Sequence, residues 1–170
     1  RVLFRSGSNC CYYDGKNVHV KNFGLGYILG DEASGAWFGK KFLHEFLYNQ
    51  LPENISSAFS AGYQLDREGI IDAVYRKPNA NIFLSSFMPF LIKHKADTWI
   101  QELLRKGIHE FFDTNISGFQ EAMHLPVHFV GSIASLLETE IRETGTKKNI
   151  HVGKILKRPM DGLKVYFASL

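Results

Sequence analysis

Residues 24 to 35 read Gly-Leu-Gly-Tyr-Ile-Leu-Gly-Asp-Glu-Ala-Ser-Gly, and an amphipathic run follows directly. Glycine tolerates positive φ and lets the backbone come close to whatever it packs against. A helix start leaves backbone N–H groups without intrahelical partners. This segment therefore constrains the chain to a glycine-rich loop pinned against a helix, with the adjacent carboxylates Asp31 and Glu32 at the junction. Two more Gly/Ser corners occur, Ser6-Gly7-Ser8-Asn9 and Val130-Gly131-Ser132-Ile133. Three such corners in one small chain point to a ligand cleft.

At 170 residues, 45% of them apolar and 14 of them phenylalanine, the chain has the material for one domain with a proper core. A chain of this length buries roughly 70% of its unfolded surface. The net charge of +3 comes from scattered basic residues, with short pairs such as Lys40-Lys41 and Lys147-Lys148, so no nucleic-acid surface is expected. No apolar run approaches the roughly 20 residues of a membrane span. Cys10 and Cys11 are adjacent. Strand neighbours point to opposite faces, so a reduced pair is expected, which suits a cytoplasmic protein. The seven histidines show no metal-ligand spacing, and neither a metal site nor a catalytic residue is assigned.

Local signals give an outline. Asn9 to Tyr13, Asp14-Gly15 and Asn17 to Lys21 read as a β-hairpin with a two-residue turn. A helix is expected over 34–51, with Phe38, Phe42, Leu43, Phe46 and Leu47 on one face and Pro52 closing it. Further helices are expected over 66–76, over 81–93 with a kink at Pro89, and after Asp97 or Thr98. The last carries Ile100, Leu103, Leu104, Ile108, Phe111 and Phe112 on one face. Pro126 to Val130 reads as a buried strand. Gly131-Ser132 then turns into a helix carrying Ile133, Leu136, Leu137 and Ile141, and Ile150 to Val152 reads as a second strand, parallel to the first. A helix is expected over 159–170. The class is α/β with an all-helical insertion over about 52–122.

The spacing Gly-x-Gly-x-x-x-Gly is not the dinucleotide fingerprint, and the Lys-Ser/Thr of a phosphate loop is missing. It leaves two readings of Asp31. Either the side chain caps the helix, with stabilisation of about 1 kcal/mol, or it accepts hydrogen bonds from sugar hydroxyls. Gly131-Ser132 likewise reads as a plain connection or as a ligand corner at a strand's carboxyl end. His128 and His151 are expected to be satisfied core or edge residues.

Taken in order, the corners resemble the C-terminal lobe of the acetate kinase, sugar kinase, heat-shock chaperone and actin superfamily. Within it the chain is most similar to N-acetylglucosamine kinases and the benzoyl-CoA-reductase-activator type ATPases. The matching pieces are Ser6-Gly7-Ser8-Asn9, Gly24 to Ser34, Val130-Gly131-Ser132 and Pro159-Met160-Asp161-Gly162. Departures are Arg5 and Ser6 for a Gly-Thr, Ser132 for a Gly, and Leu25 where the sugar kinases often carry Trp.

The resemblance implies an RNase H-like, actin-like lobe with a helical insertion, forming a single domain over 1–170. The chain opens on Arg1 to Arg5, which match no part of the family, and a fragment whose N-terminal lobe is absent is expected. By the same resemblance Ser8, Asn9, Gly24 and Asp31 bind an amino sugar. Gly7 and Ser8 face the phosphates of ATP, whose Mg²⁺ bridges them, and Gly131, Ser132 and Gly162 line the adenosine. The implied activity is phosphorylation of N-acetylglucosamine at its 6-hydroxyl. The chain alone is expected to be inactive, to need its other lobe, and to be capable of pairing as a homodimer. Two alternatives stay open: an activator ATPase of a CoA-ester reductase or dehydratase system, and a non-catalytic sugar or nucleotide sensor.

Overall fold

The computed structural model describes residues 7–158 together with 160, 163 and 167. Gly162, and the helix expected over 159–170 apart from those three positions, lie outside the described residues. The chain opens with strands β1 (Tyr12–Tyr13) and β2 (Val18–His19), antiparallel, with Tyr12 opposite His19 and Tyr13 opposite Val18. The connection is a four-residue loop, Asp14 to Asn17, rather than the expected two-residue turn. Asp14 Oδ1 accepts from the backbone N–H groups of Lys16 and Asn17 at 2.7 Å each. Those bonds close a wider turn, with Gly15 at φ +96°. They and a contact with His19 hold the Asp14 carboxyl below the ordinary carboxylate range. The strand starts later than expected, so Cys10 and Cys11 precede it; both are free, Cys10 half-buried and Cys11 exposed.

Within the glycine segment lies one helical turn, α1 (Gly26–Leu29). Helix α2 (Gly35–Leu47) follows, capped by Ser34, whose hydroxyl accepts from Trp37 N at 3.1 Å. It ends four residues before the expected boundary, where Asn49 takes φ +55° ahead of Pro52. Helix α3 (Glu53–Gly62) was not singled out by periodicity. Helix α4 (Arg67–Tyr75) starts on an Asp66 cap, 2.8 Å from Gly69 N.

The helix expected over 81–93 is two helices, α5 (Ala80–Ser85) and α6 (Met88–Lys93). The break falls at Ser86-Phe87. Pro89 sits in the first turn of α6, where a missing N–H leaves no bond unmade, so it starts a helix instead of kinking one. Helix α7 (Thr98–Phe111) has Asp97 as its cap, accepting from Trp99 N at 2.9 Å. It runs into a π turn (Phe112–Ile116), and a 3₁₀ turn follows (Gln120–Met123). Every regular element described from 53 to 123 is thus helical.

The core is aromatic. Phe42 and Phe59 meet edge to face at 4.9 Å, and Phe87 and Phe90 complete the cluster. Two glycines set how closely the helices approach. A Cβ on Gly39 of α2 would lie 1.9 Å from Leu84 O of α5, and one on Gly107 of α7 would lie 2.4 Å from Phe38. The expected inward faces are largely buried, but Ile82 and Leu136 are exposed, because the breaks at 86–87 and at Leu137 rotate the short helices that carry them.

A parallel pair closes the described fold: β3 (Val127–Val130), then α8 (Ser132–Leu136), α9 (Glu138–Lys147) and β4 (Val152–Leu156). Val127 pairs with Val152 and Val130 with Leu156. The expected single crossover helix is broken at Leu137. The second strand begins at Val152 because Ile150 N still bonds back to Gly145 O at 2.8 Å. A Cβ on Gly145 would meet Val152 at 2.5 Å, so the helix end and the strand start are packed on one another. The described molecule is α/β and mostly helical, and its two described sheets have two strands each.

Candidate functional site

The loop between α1 and α2 is built from unusual backbone. Gly26 takes φ +73°, and Asp31 and Ala33 take φ +56° and +58°, one on either side of Glu32. Left-handed non-glycine residues cost on the order of 1–3 kcal/mol each and persist only where packing imposes them. The cap of α2 is Ser34, so the Asp31 side chain is not a capping group. It turns instead to the Gly7-Ser8 corner. Asp31 Oδ1 accepts from Ser8 N at 3.4 Å, and a Cβ on Gly7 would stand 3.0 Å from Asp31 Oδ2. A Cβ on Gly24 would be 3.9 Å from Ser8 O. The fold therefore gathers Gly7, Ser8, Gly24 and Asp31 at one place.

Among the described residues this carboxylate is short of donors. A backbone bond of 3.4 Å is long and weak. Burial pushes the Asp31 pKa above its ordinary 3.8, and the neighbouring Glu32 adds to the rise; the Ser8 N–H and Lys40 oppose it. The buried Ser8 hydroxyl has no hydrogen-bond partner among the described residues. An under-solvated acceptor beside a free hydroxyl is suited to a ligand rich in O–H groups. Asn9 stands apart: it is exposed, and its Oδ1 accepts from Cys10 N at 2.8 Å.

Five hydrogen bonds from four side chains hold the loop, and the sequence pattern shows none of them. Lys40 Nζ donates to Tyr27 O and Ile28 O at 3.1 Å each. Burial and the adjacent Lys41 lower its pKa, while Glu32, Asp31 and Glu110 work to keep it charged. Asn115 Nδ2, in the π turn, donates to Glu32 Oε2 at 3.2 Å. The Lys21 ammonium and the Asn22 amide donate to Gly118 O and Thr114 O beside that turn. The Asn115, Lys21 and Asn22 pairs lie 83 to 97 residues apart, beyond the reach of any local period; the glycines and the Asp31-Glu32 pair are the local signal for this loop.

The second corner lies at the carboxyl end of β3. Gly131 takes φ +137° and donates from N to Leu156 O at 2.8 Å, and the exposed Ser132 begins α8. No hydrogen bond among the described residues joins Gly131 or Ser132 to Gly7, Ser8 or Asp31. His128 is a satisfied edge residue, as expected: its Nδ1 accepts from Lys154 N at 2.9 Å. His151 lies just outside β4 and is exposed. Burial, helped by Cys11, raises the Cys10 thiol to about 11. Among the described residues no three His, Cys, Asp or Glu side chains gather as metal ligands, and no helix is long and apolar enough to cross a membrane.

The fold has a solved counterpart. Over 96% of its length the chain superposes, with a TM-score of 0.91 and 36% identity, on the crystal structure of a Porphyromonas gingivalis protein named "putative N-acetylglucosamine kinase". The chain spans 58% of that protein. No protein-family profile and no curated protein matches the chain at a significant level.

Proposed function

We propose that this chain forms the sugar-binding wall, and part of the nucleotide-binding wall, of an ATP-dependent amino-sugar kinase. The substrate that the likeness favours is N-acetylglucosamine, phosphorylated at its 6-hydroxyl. The observation that carries this reading is the donor-poor Asp31 carboxylate, set beside Ser8 and Gly24 by a left-handed backbone.

Asp31 accepts from sugar hydroxyls, which displace the long Ser8 N–H bond and offset the burial of the carboxylate. Ser8 supplies a further polar contact and Gly24 gives the ring room; Asn9 reaches the sugar only by exchanging its bond to Cys10 N. Gly7 and Ser8 border the phosphates. A carboxylate so close to Gly7 repels a triphosphate unless a cation stands between them, a role suited to the Mg²⁺ that accompanies ATP. Gly131, Ser132 and Gly162 are assigned to the adenosine side.

In this reading the chain is the C-terminal, actin-like lobe of a two-lobed protein, with residues of about 52–122 as its helical insertion. The general base and the first phosphate loop are assigned to the remainder of a protein of the neighbour's length. The sugar reading is preferred to the activator ATPase because the structural neighbour's printed name is that of an amino-sugar kinase.

The test is a thermal melt of the chain with millimolar N-acetylglucosamine. A ligand that binds only the folded state raises the midpoint. A rise absent with an unrelated sugar supports the assignment. A cooperative melt with no rise overturns sugar binding by this chain.

A further inference from the structure

At the π turn a side chain of the helical block hydrogen-bonds a side chain of the glycine loop. Asn115 is only 7% exposed, and its amide donates to Glu32 Oε2 at 3.2 Å. Glu32 is the residue between the two left-handed positions Asp31 and Ala33. Whatever holds Glu32 thus holds the turn that points Asp31 toward Ser8. On the loop's other flank, Asn22 and Lys21 donate to Thr114 O and Gly118 O, and the Lys21 ammonium stands 5.1 Å from the centre of the Phe119 ring. A single π turn in an α-helical run offers carbonyls that its regular neighbours spend internally. Here the π turn extends α7, whose buried face anchors it in the core.

We infer that Asn115, acting through Glu32, is a positioning residue for the sugar site, fixing the Gly24–Gly35 loop in the shape that presents Asp31. This rests on the reading above that Asp31 meets the sugar. The helical block is then part of the binding machinery: it holds the acceptor without touching the ligand. A buried amide that keeps a carboxylate in place also excludes water from the back of the loop.

The experiment exchanges donor and acceptor. Asn115→Asp sets a carboxylate against Glu32, in a neighbourhood that already holds Asp31, Lys40 and Glu110. Adding Glu32→Gln restores one hydrogen bond with its direction reversed. Hydrogen exchange is followed over residues 21–35, and N-acetylglucosamine binding is measured by calorimetry. The single variant is expected to speed exchange in that segment and to weaken binding about tenfold, the size of one lost hydrogen bond to a charged group. The double variant is expected to recover both, while α2 and α7 keep their protection throughout.

The inference is overturned if Asn115→Asp changes neither quantity. It is equally overturned if the double variant recovers neither, or if α2 and α7 lose protection together with the loop. If the parent chain binds no sugar, the functional reading fails by itself, and the exchange arm still decides whether Asn115 holds the loop.

Discussion

At the scale of single residues, Asp31 carries the argument. Its carboxyl is raised above 3.8 chiefly by burial, so the unliganded folded chain holds that proton more tightly than the unfolded chain does. Ionising it costs stability at pH above the raised value, and the cost disappears as pH falls toward 3.8. Sugar binding runs the other way, because the ionised form is the acceptor. Affinity for N-acetylglucosamine is therefore expected to fall as pH drops through the raised pKa, with proton release on binding at such pH. Calorimetry in buffers of different ionisation enthalpy checks this, and a pH-independent affinity contradicts it. Asp31→Asn is expected to abolish the pH dependence and to weaken binding at least tenfold, since its NH₂ donates where the sugar also donates.

The sequence left Asp31 between a helix cap and a ligand group. The structure resolves half of that choice: Ser34 is the cap, which frees the Asp31 side chain to face Ser8. Residue spacing carries no such information, because Asp31 and Ser34 are both good capping types three positions apart.

At the scale of elements, the caps and glycines give sharper expectations. Ser34→Ala is expected to destabilise the chain by about 1 kcal/mol, a drop of roughly 2–4 °C in Tm for a protein of this size. It also tests the loop, because α2 begins where the loop ends. Gly39→Ala forces a methyl group to within 1.9 Å of Leu84 O, so α2 and α5 must separate. A loss of about 3 kcal/mol in urea unfolding is expected, at the upper end for overpacking. A loss below 1 kcal/mol would show that α5 moves away freely.

Elements with strong local signals were legible: the cap and the apolar face of α7, the body of α2, the hairpin and the parallel strand pair. Boundaries were not. The helices break at Ser86-Phe87 and at Leu137, and no glycine or proline marks either break. The one proline in that region, Pro89, was read as a kink and serves as a helix start. Packing chooses such break points, because a short helix turns to bury the side chains its neighbours can accept.

At the scale of the molecule, the chain spans 58% of a structural neighbour to which it is 36% identical. The two-lobed reading gives a direct expectation. The pure chain phosphorylates no N-acetylglucosamine above background in a coupled ATP assay, and activity appears when the chain is joined to the remainder of a protein of that length. Turnover by the chain alone would place the general base within these residues and overturn the division of labour proposed here.

Much of this molecule was set by sequence alone, wherever cause and effect lie within a few residues. The Asp14 turn, the Asp66 and Asp97 caps, the apolar face of α7 and the glycine-rich segment before α2 all follow from local chemistry. Only the tertiary structure decided what that segment does. Ser8 meets Asp31 across 23 residues and Asn115 meets Glu32 across 83, and such pairs leave no period to read. They form because burial of the phenylalanine core brings α2 against the backbone of α5 at Gly39 and sets the Phe38 and Trp37 rings of α2 on α7 at Gly107. That approach carries the π turn to the loop, and the loop then presents its carboxylate.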